Sequence, residues 1–150
     1  MKRIASIAVL AGLTFAAGAV LAHDDAYLDT QKAPNGGQLR MAGPNHYELV
    51  LVKDAKEAQE NPVVVYVTDH AGQKIPTVGA AGTATILAGK LKVAATLKPD
   101  GDNRMKGVAK YASTPDTKVV VSIALAGKQA EQARFTPLAV AKDTHTDHTH

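Results

Sequence analysis

Val63-Val64-Val65-Tyr66-Val67-Thr68 is the stretch that decides the fold. Five of these side chains are β-branched and the sixth is aromatic, the types that pack best on a pleated surface and gain least from a helix. The run is almost continuously apolar, which points to a central strand covered on both faces. Asp69-His70-Ala71-Gly72 turns the chain after it. Before it, Lys53 to Glu60 carries helix formers without an apolar stripe and reads as a loop or a single helical turn, closed by Asn61-Pro62.

Period-two patterning continues on both sides of this run. Towards the N-terminus, His46 to Val52 sets Tyr47, Leu49 and Leu51 against His46, Glu48 and Val50, and Gln38 to Ala42 is a shorter strand across the Gly43-Pro44-Asn45 turn. Towards the C-terminus, Thr83 to Leu87 and Leu91 to Lys98 flank Ala88-Gly89-Lys90 and read as a hairpin, with Leu91, Val93, Ala95 and Leu97 inward. Pro99-Asp100-Gly101-Asp102-Asn103 is the strongest turn in the chain. Met105 to Tyr111, Lys118 to Leu125 and Gln129 to Phe135 complete the set. Turn signals recur about every ten residues, as in an all-β domain. The expected architecture is a small antiparallel β-sandwich, Ig-like, of seven to eight strands, with a small barrel as the second choice.

The first residues read as an address. Met1-Lys2-Arg3 is basic, Ile4 to Leu21 is apolar and rich in small residues, and Val20 and Ala22 suit a signal-peptidase cut before His23-Asp24-Asp25. The expected organisation is therefore a signal peptide over 1–22, an N-terminal arm over 23–36, the β-domain over 37–138 and a His-rich tail over 139–150. A retained anchor is the plain alternative. Without cysteine, the chain has neither disulfides nor a thiol for lipid attachment, so no membrane insertion is expected after cleavage. Lys2 and Arg3 account for most of the basic excess of 17 Lys and Arg over 14 Asp and Glu, which removes the case for nucleic acid. The expected location is the periplasm.

Six histidines in a chain without cysteine or tryptophan raise the question of metal. Imidazole holds borderline cations without help from thiolate. His145, His148 and His150 share the tail with Asp147, and their spacing lets them converge on one ion; a solvated polar end is the bland alternative. His23, once exposed by cleavage, offers an amine and a ring nitrogen to copper(II), completed by Asp24, Asp25, His46 or His70, or else is a mobile terminus. His46 and Glu48 stand two apart on one strand and face the same way, as ligand and neighbouring ligand or as a solvent-facing polar stripe. His70 reads first as a turn residue. Met41 and Met105 with His46 suggest a soft copper(I) site, although core packing is the commoner use of methionine. The Asp100–Asn103 loop lacks the spacing of a calcium loop. No nucleophile elbow, cysteine nucleophile or phosphate-cradling glycine loop is present, so an enzyme is not expected.

Ala33-Pro34-Asn35-Gly36-Gly37-Gln38, followed by Gly43, His46, Glu48 and Leu49, resembles the Pro-His-Gly-Gly…Gly…His-x-Glu-Leu pattern near the front of periplasmic adaptor subunits of heavy-metal efflux pumps, and stand-alone periplasmic proteins related to them. The motif covers residues 33–52 and departs from the pattern at Asn35, where histidine is common. The resemblance implies a periplasmic protein that binds or delivers a divalent copper- or zinc-type cation in metal homeostasis or efflux, with an efflux adaptor or envelope complex as partner. The other reading is a non-enzymatic interaction domain of the envelope with incidental histidines.

Overall fold

The computed structural model describes residues 24–140, so the expected signal peptide, His23 and the tail from Ala141 lie outside the described residues. A short helix, α1 (Asp25–Asp29), precedes eight strands: β1 (Gln38–Ala42), β2 (Asn45–Leu51), β3 (Gln59–Asp69), β4 (Ala81–Ala88), β5 (Leu91–Pro99), β6 (Arg104–Tyr111), β7 (Lys118–Ala124) and β8 (Glu131–Phe135). Every pairing is antiparallel and the strands run β1-β2-β3-β6-β5-β4-β7-β8 in one continuous sheet. The all-β expectation holds at eight strands. The architecture is a nearly closed, barrel-like sheet, closer to the second choice than to two stacked sheets.

Two places make it so. β5 pairs with β4 along nearly its whole length but with β6 only at Lys98↔Lys106 and Pro99↔Met105, which keeps the sheet continuous through a narrow join. At the other side β1 and β8 approach without a ladder. Gln38 closes this seam with its side chain: Oε1 accepts from the Thr136 N–H at 2.8 Å, and Nε2 reaches the Thr136 hydroxyl at 3.5 Å. Alternation in sequence says which side chains turn inward, but not whether the inward faces belong to two sheets or to one that rolls up.

The interior is filled largely by the residues the alternation assigned to it; of the inward set expected on β5, Ala95 and Leu97 are buried, Val93 is half-buried, and Leu91, beside the hairpin turn at the end of the strand, is 42% exposed. Tyr47, Leu49, Val63, Val65, Val67, Ile86, Leu97, Met105, Val119, Val121 and Ile123 are all fully buried. Burial of each of the larger aliphatic side chains contributes about 1.5–3 kcal/mol. Small residues keep the barrel narrow; a Cβ on Gly107 would meet the Thr96 carbonyl, so β6 approaches that backbone only as glycine. Tyr47 crosses the interior, its Oη within reach of the Ile123 and Glu131 carbonyls at 3.3 and 3.4 Å. Burial, aided by the Glu131 charge, pushes its phenol pKa up to about 12.

Two local expectations are corrected. β3 starts at Gln59, four residues before the branched run, and takes in Pro62. Pairing with β2 ends at Val63, so the flank where proline lacks a donor has no strand beside it. Tyr111 fills that gap: its hydroxyl donates to the Pro62 carbonyl at 2.6 Å and accepts from the Val52 N–H at 3.0 Å. The N-terminal arm, whose polar and aperiodic residues read as extended chain, contains α1. Asp24 caps it by accepting from the Tyr27 N–H at 2.8 Å, and Leu28 is its one buried residue. A five-residue helix is marginal by itself. This one is held by Leu28 and by Arg40, whose guanidinium meets Asp29 at 2.7 Å and Asp25 at 3.7 Å.

Candidate functional site

Alternation on β2 sends Tyr47, Leu49 and Leu51 into the barrel and His46, Glu48 and Val50 to its outside. A strand with one dry face would leave that outer set in water. Here His46 is 7% exposed and Glu48 only 3%. The cause is the segment from α1 to Gly37, which folds back over the outer face of β1, β2 and β3.

Glu48 is the clasp for that segment. Its carboxylate accepts from the Asn35 N–H at 2.9 Å, the Asn35 side-chain amide at 3.0 Å and the Gly37 N–H at 2.9 Å. Each residue of Pro34-Asn35-Gly36-Gly37 has a physical task in presenting those donors. The Gly36 N–H bonds back to the Ala33 carbonyl at 3.2 Å, placing Pro34 where a preset φ suits a turn. Gly36 has φ +74°, a left-handed conformation that favours glycine, and a Cβ on Gly37 would collide with the Leu49 carbonyl. Both Glu48 oxygens are thereby committed to N–H groups. Asn35, the departure from the efflux-adaptor pattern, is a hydrogen-bond donor.

His46 has a different neighbour. His70 follows β3 in a tight loop fixed by Asp69, whose Oδ1 accepts from the Ala71 and Gln73 N–H groups at 2.9 and 2.8 Å. The Gly72 N–H bonds to the Asp69 carbonyl at 3.1 Å, and Gly72 itself takes φ +80°. His46 stands opposite Thr68, and His70 lies two residues past Thr68, just beyond the end of β3. The two imidazoles meet edge to face, with ring centres 4.8 Å apart and planes at 69°. They line a cleft of about 480 Å³ together with Tyr27, Leu28, Leu39 and Tyr66. Lys32 and Lys74 also line it, and both are exposed.

With metal–nitrogen bonds of about 2.0–2.1 Å, two imidazoles on one ion at ordinary coordination angles have centres about 4.5–5.5 Å apart. The His46–His70 spacing falls inside that window. Among the described residues no group of three or more His, Cys, Asp or Glu side chains is placed to hold a metal ion, and the pair supplies two imidazoles only.

Of the other expected site residues, His23, His145, His148 and His150 lie outside the described residues. Asp24 is the helix cap and Asp25 faces Arg40. Met105 is fully buried in the barrel, on the face of the sheet opposite to His46, and is separated from it by the backbone. The Asp100–Asn103 loop is a turn in which Arg104 pairs with the Asp100 carboxylate at 2.9 Å and Asn103 donates to the Val67 carbonyl at 3.1 Å. Among the described residues no helix is long and apolar enough to cross a membrane. No protein-family model, curated protein or solved structure matches the chain.

Proposed function

We propose that this is a periplasmic protein that binds or delivers a transition-metal cation of the copper or zinc class, serving metal homeostasis or efflux without catalysing a reaction. The observation that carries the reading is the His46–His70 pair. The centre separation of 4.8 Å suits two nitrogen donors to one ion, and the loop bearing His70 is fixed by Asp69 rather than left to wander. A two-imidazole site also suits transfer, because a cargo must leave as well as enter, and further donors come from a partner or from His23, His145, His148 and His150. The address-like N-terminus and the motif around residues 33–52 support the location and the association with an efflux adaptor.

The test is calorimetric titration of the purified chain with copper(I) in the absence of oxygen, with copper(II) and with zinc(II), repeated for His46→Ala/His70→Ala and for a chain carrying His145→Ala, His148→Ala and His150→Ala. Saturable binding that weakens when His46 and His70 are lost supports the reading. Binding no tighter than that of a scrambled tail peptide, or unchanged in His46→Ala/His70→Ala, defeats it.

A second reading, an envelope interaction domain with incidental histidines, draws on the outer face of β5 and β6. There Lys98 stands opposite Lys106 and Val108 is 52% exposed. It predicts no saturable metal site at all.

A further inference from the structure

β1 and β2 are paired so that Met41 stands directly opposite His46. Directly opposed residues in an antiparallel ladder project to the same face with Cβ atoms about 4.5–5.5 Å apart, within the span of a methionine side chain. Met41 is therefore on the outer face with His46. His46 thus has Met41 across the β1–β2 ladder and the imidazole of His70 against its ring. Met41 is half-buried, neither packed into the barrel as Met105 is nor fully bathed in water.

We infer that the site prefers monovalent copper, held by His46 and His70 with the Met41 thioether as third ligand; this rests on the proposed function above and specifies its cargo. Three features converge on that ion. Thioether sulfur is a soft donor that selects copper(I) and adds little for zinc(II) or copper(II). Of the carboxylates beside the pair, Glu48 has both oxygens engaged by Asn35 and Gly37 and Asp69 has Oδ1 engaged by Ala71 and Gln73, which leaves little anionic oxygen to favour a harder, doubly charged ion. Lys32 and Lys74 on the cleft wall raise the local positive potential, which opposes a divalent cation about twice as strongly as a monovalent one. The apolar cover of Tyr27, Leu28 and Leu39 limits water at the metal.

The experiment uses the full chain carrying His145→Ala, His148→Ala and His150→Ala, so that tail histidines do not mask the site. Copper(I) is supplied without oxygen as its bicinchoninate complex, and zinc(II) is titrated separately. Met41→Leu conserves volume at a half-buried position and should fold as the parent does. It is expected to lower copper(I) affinity about tenfold or more while leaving zinc(II) affinity unchanged. X-ray absorption of the copper(I) form is expected to show one sulfur beside two nitrogen scatterers, with the sulfur lost in Met41→Leu. Equal copper(I) affinity in Met41→Leu, or a parent spectrum with nitrogen and oxygen alone, overturns the Met41 assignment. Loss of binding in His46→Ala/His70→Ala alongside an unchanged Met41→Leu overturns only this inference. Undiminished binding of both ions in His46→Ala/His70→Ala overturns the proposed function itself.

Discussion

β2 and β5 carry the same alternating pattern, yet they end in different surroundings. β5 keeps one side wet: Lys92, Ala94, Thr96 and Lys98 are exposed while Ala95 and Leu97 are buried. β2 is buried at six of its seven positions, including the histidine and the glutamate that alternation would place in water. The difference lies in what covers the outer face. β5 has no partner layer there, whereas β2 lies beneath the segment from α1 to Gly37, pinned by Glu48. A polar residue on the outer register of a strand is thus a surface group in one place and a buried organiser in another, and the distinction depends on a part of the chain with no periodicity.

The strongest way to break the contrast is Glu48→Ala. It strips the acceptor from three N–H groups and is expected to cost about 2–4 kcal/mol. The same change on the bare face, Lys110→Ala, is expected to stay within about 0.5 kcal/mol. Urea unfolding midpoints compare the two, and a Glu48→Ala chain as stable as the parent would show that the segment is only laid on the sheet. Gly37→Ala is next, at about 1–3 kcal/mol, because its methyl must displace the Leu49 carbonyl. Hydrogen exchange should report this as faster exchange across Asn35 to Gly37, with β5 and β6 unaffected. Smallest is Lys106→Glu, which replaces the like-charge pair with Lys98 by an opposite pair and is expected to stabilise by about 0.2–1 kcal/mol, less at high salt. A loss of stability there would mean that the two lysines do not repel each other across the ladder.

The strands were legible because side-chain alternation is a local property. Lys118 to Ala124 declares an inward set that the structure buries, Val63, Val65 and Val67 are buried on β3, and on Leu91 to Lys98 the inward set is buried at Ala95 and Leu97 but not at Leu91. Closure was not legible, since it depends on the two contact pairs between β5 and β6 and on one glutamine at the seam. The site was half legible. His46 stood out, but His70 was assigned to its turn because nothing within ten residues links it to His46. Their meeting depends on the β2–β3 register, which sets Tyr47 against Val67. The loop between those strands is too long for a turn type to dictate that register. Pairing the two strands so that their inward sets coincide is the one sequence operation that would have brought His46 and His70 together. Leu28 was missed for a related reason: one apolar residue in a polar segment has no period to reveal it.

The seam between β1 and β8 also determines how the molecule responds to force. Val140, the last described residue, lines one shallow depression with Leu28 and Asp29, so the C-terminal end of the described chain lies beside α1. Tension applied between that end and Asp24 loads the Arg40–Asp29 pair and the Glu48 clasp before it reaches the Gln38–Thr136 contacts of the seam. A barrel fastened there peels open one bond at a time under low load, instead of resisting in shear.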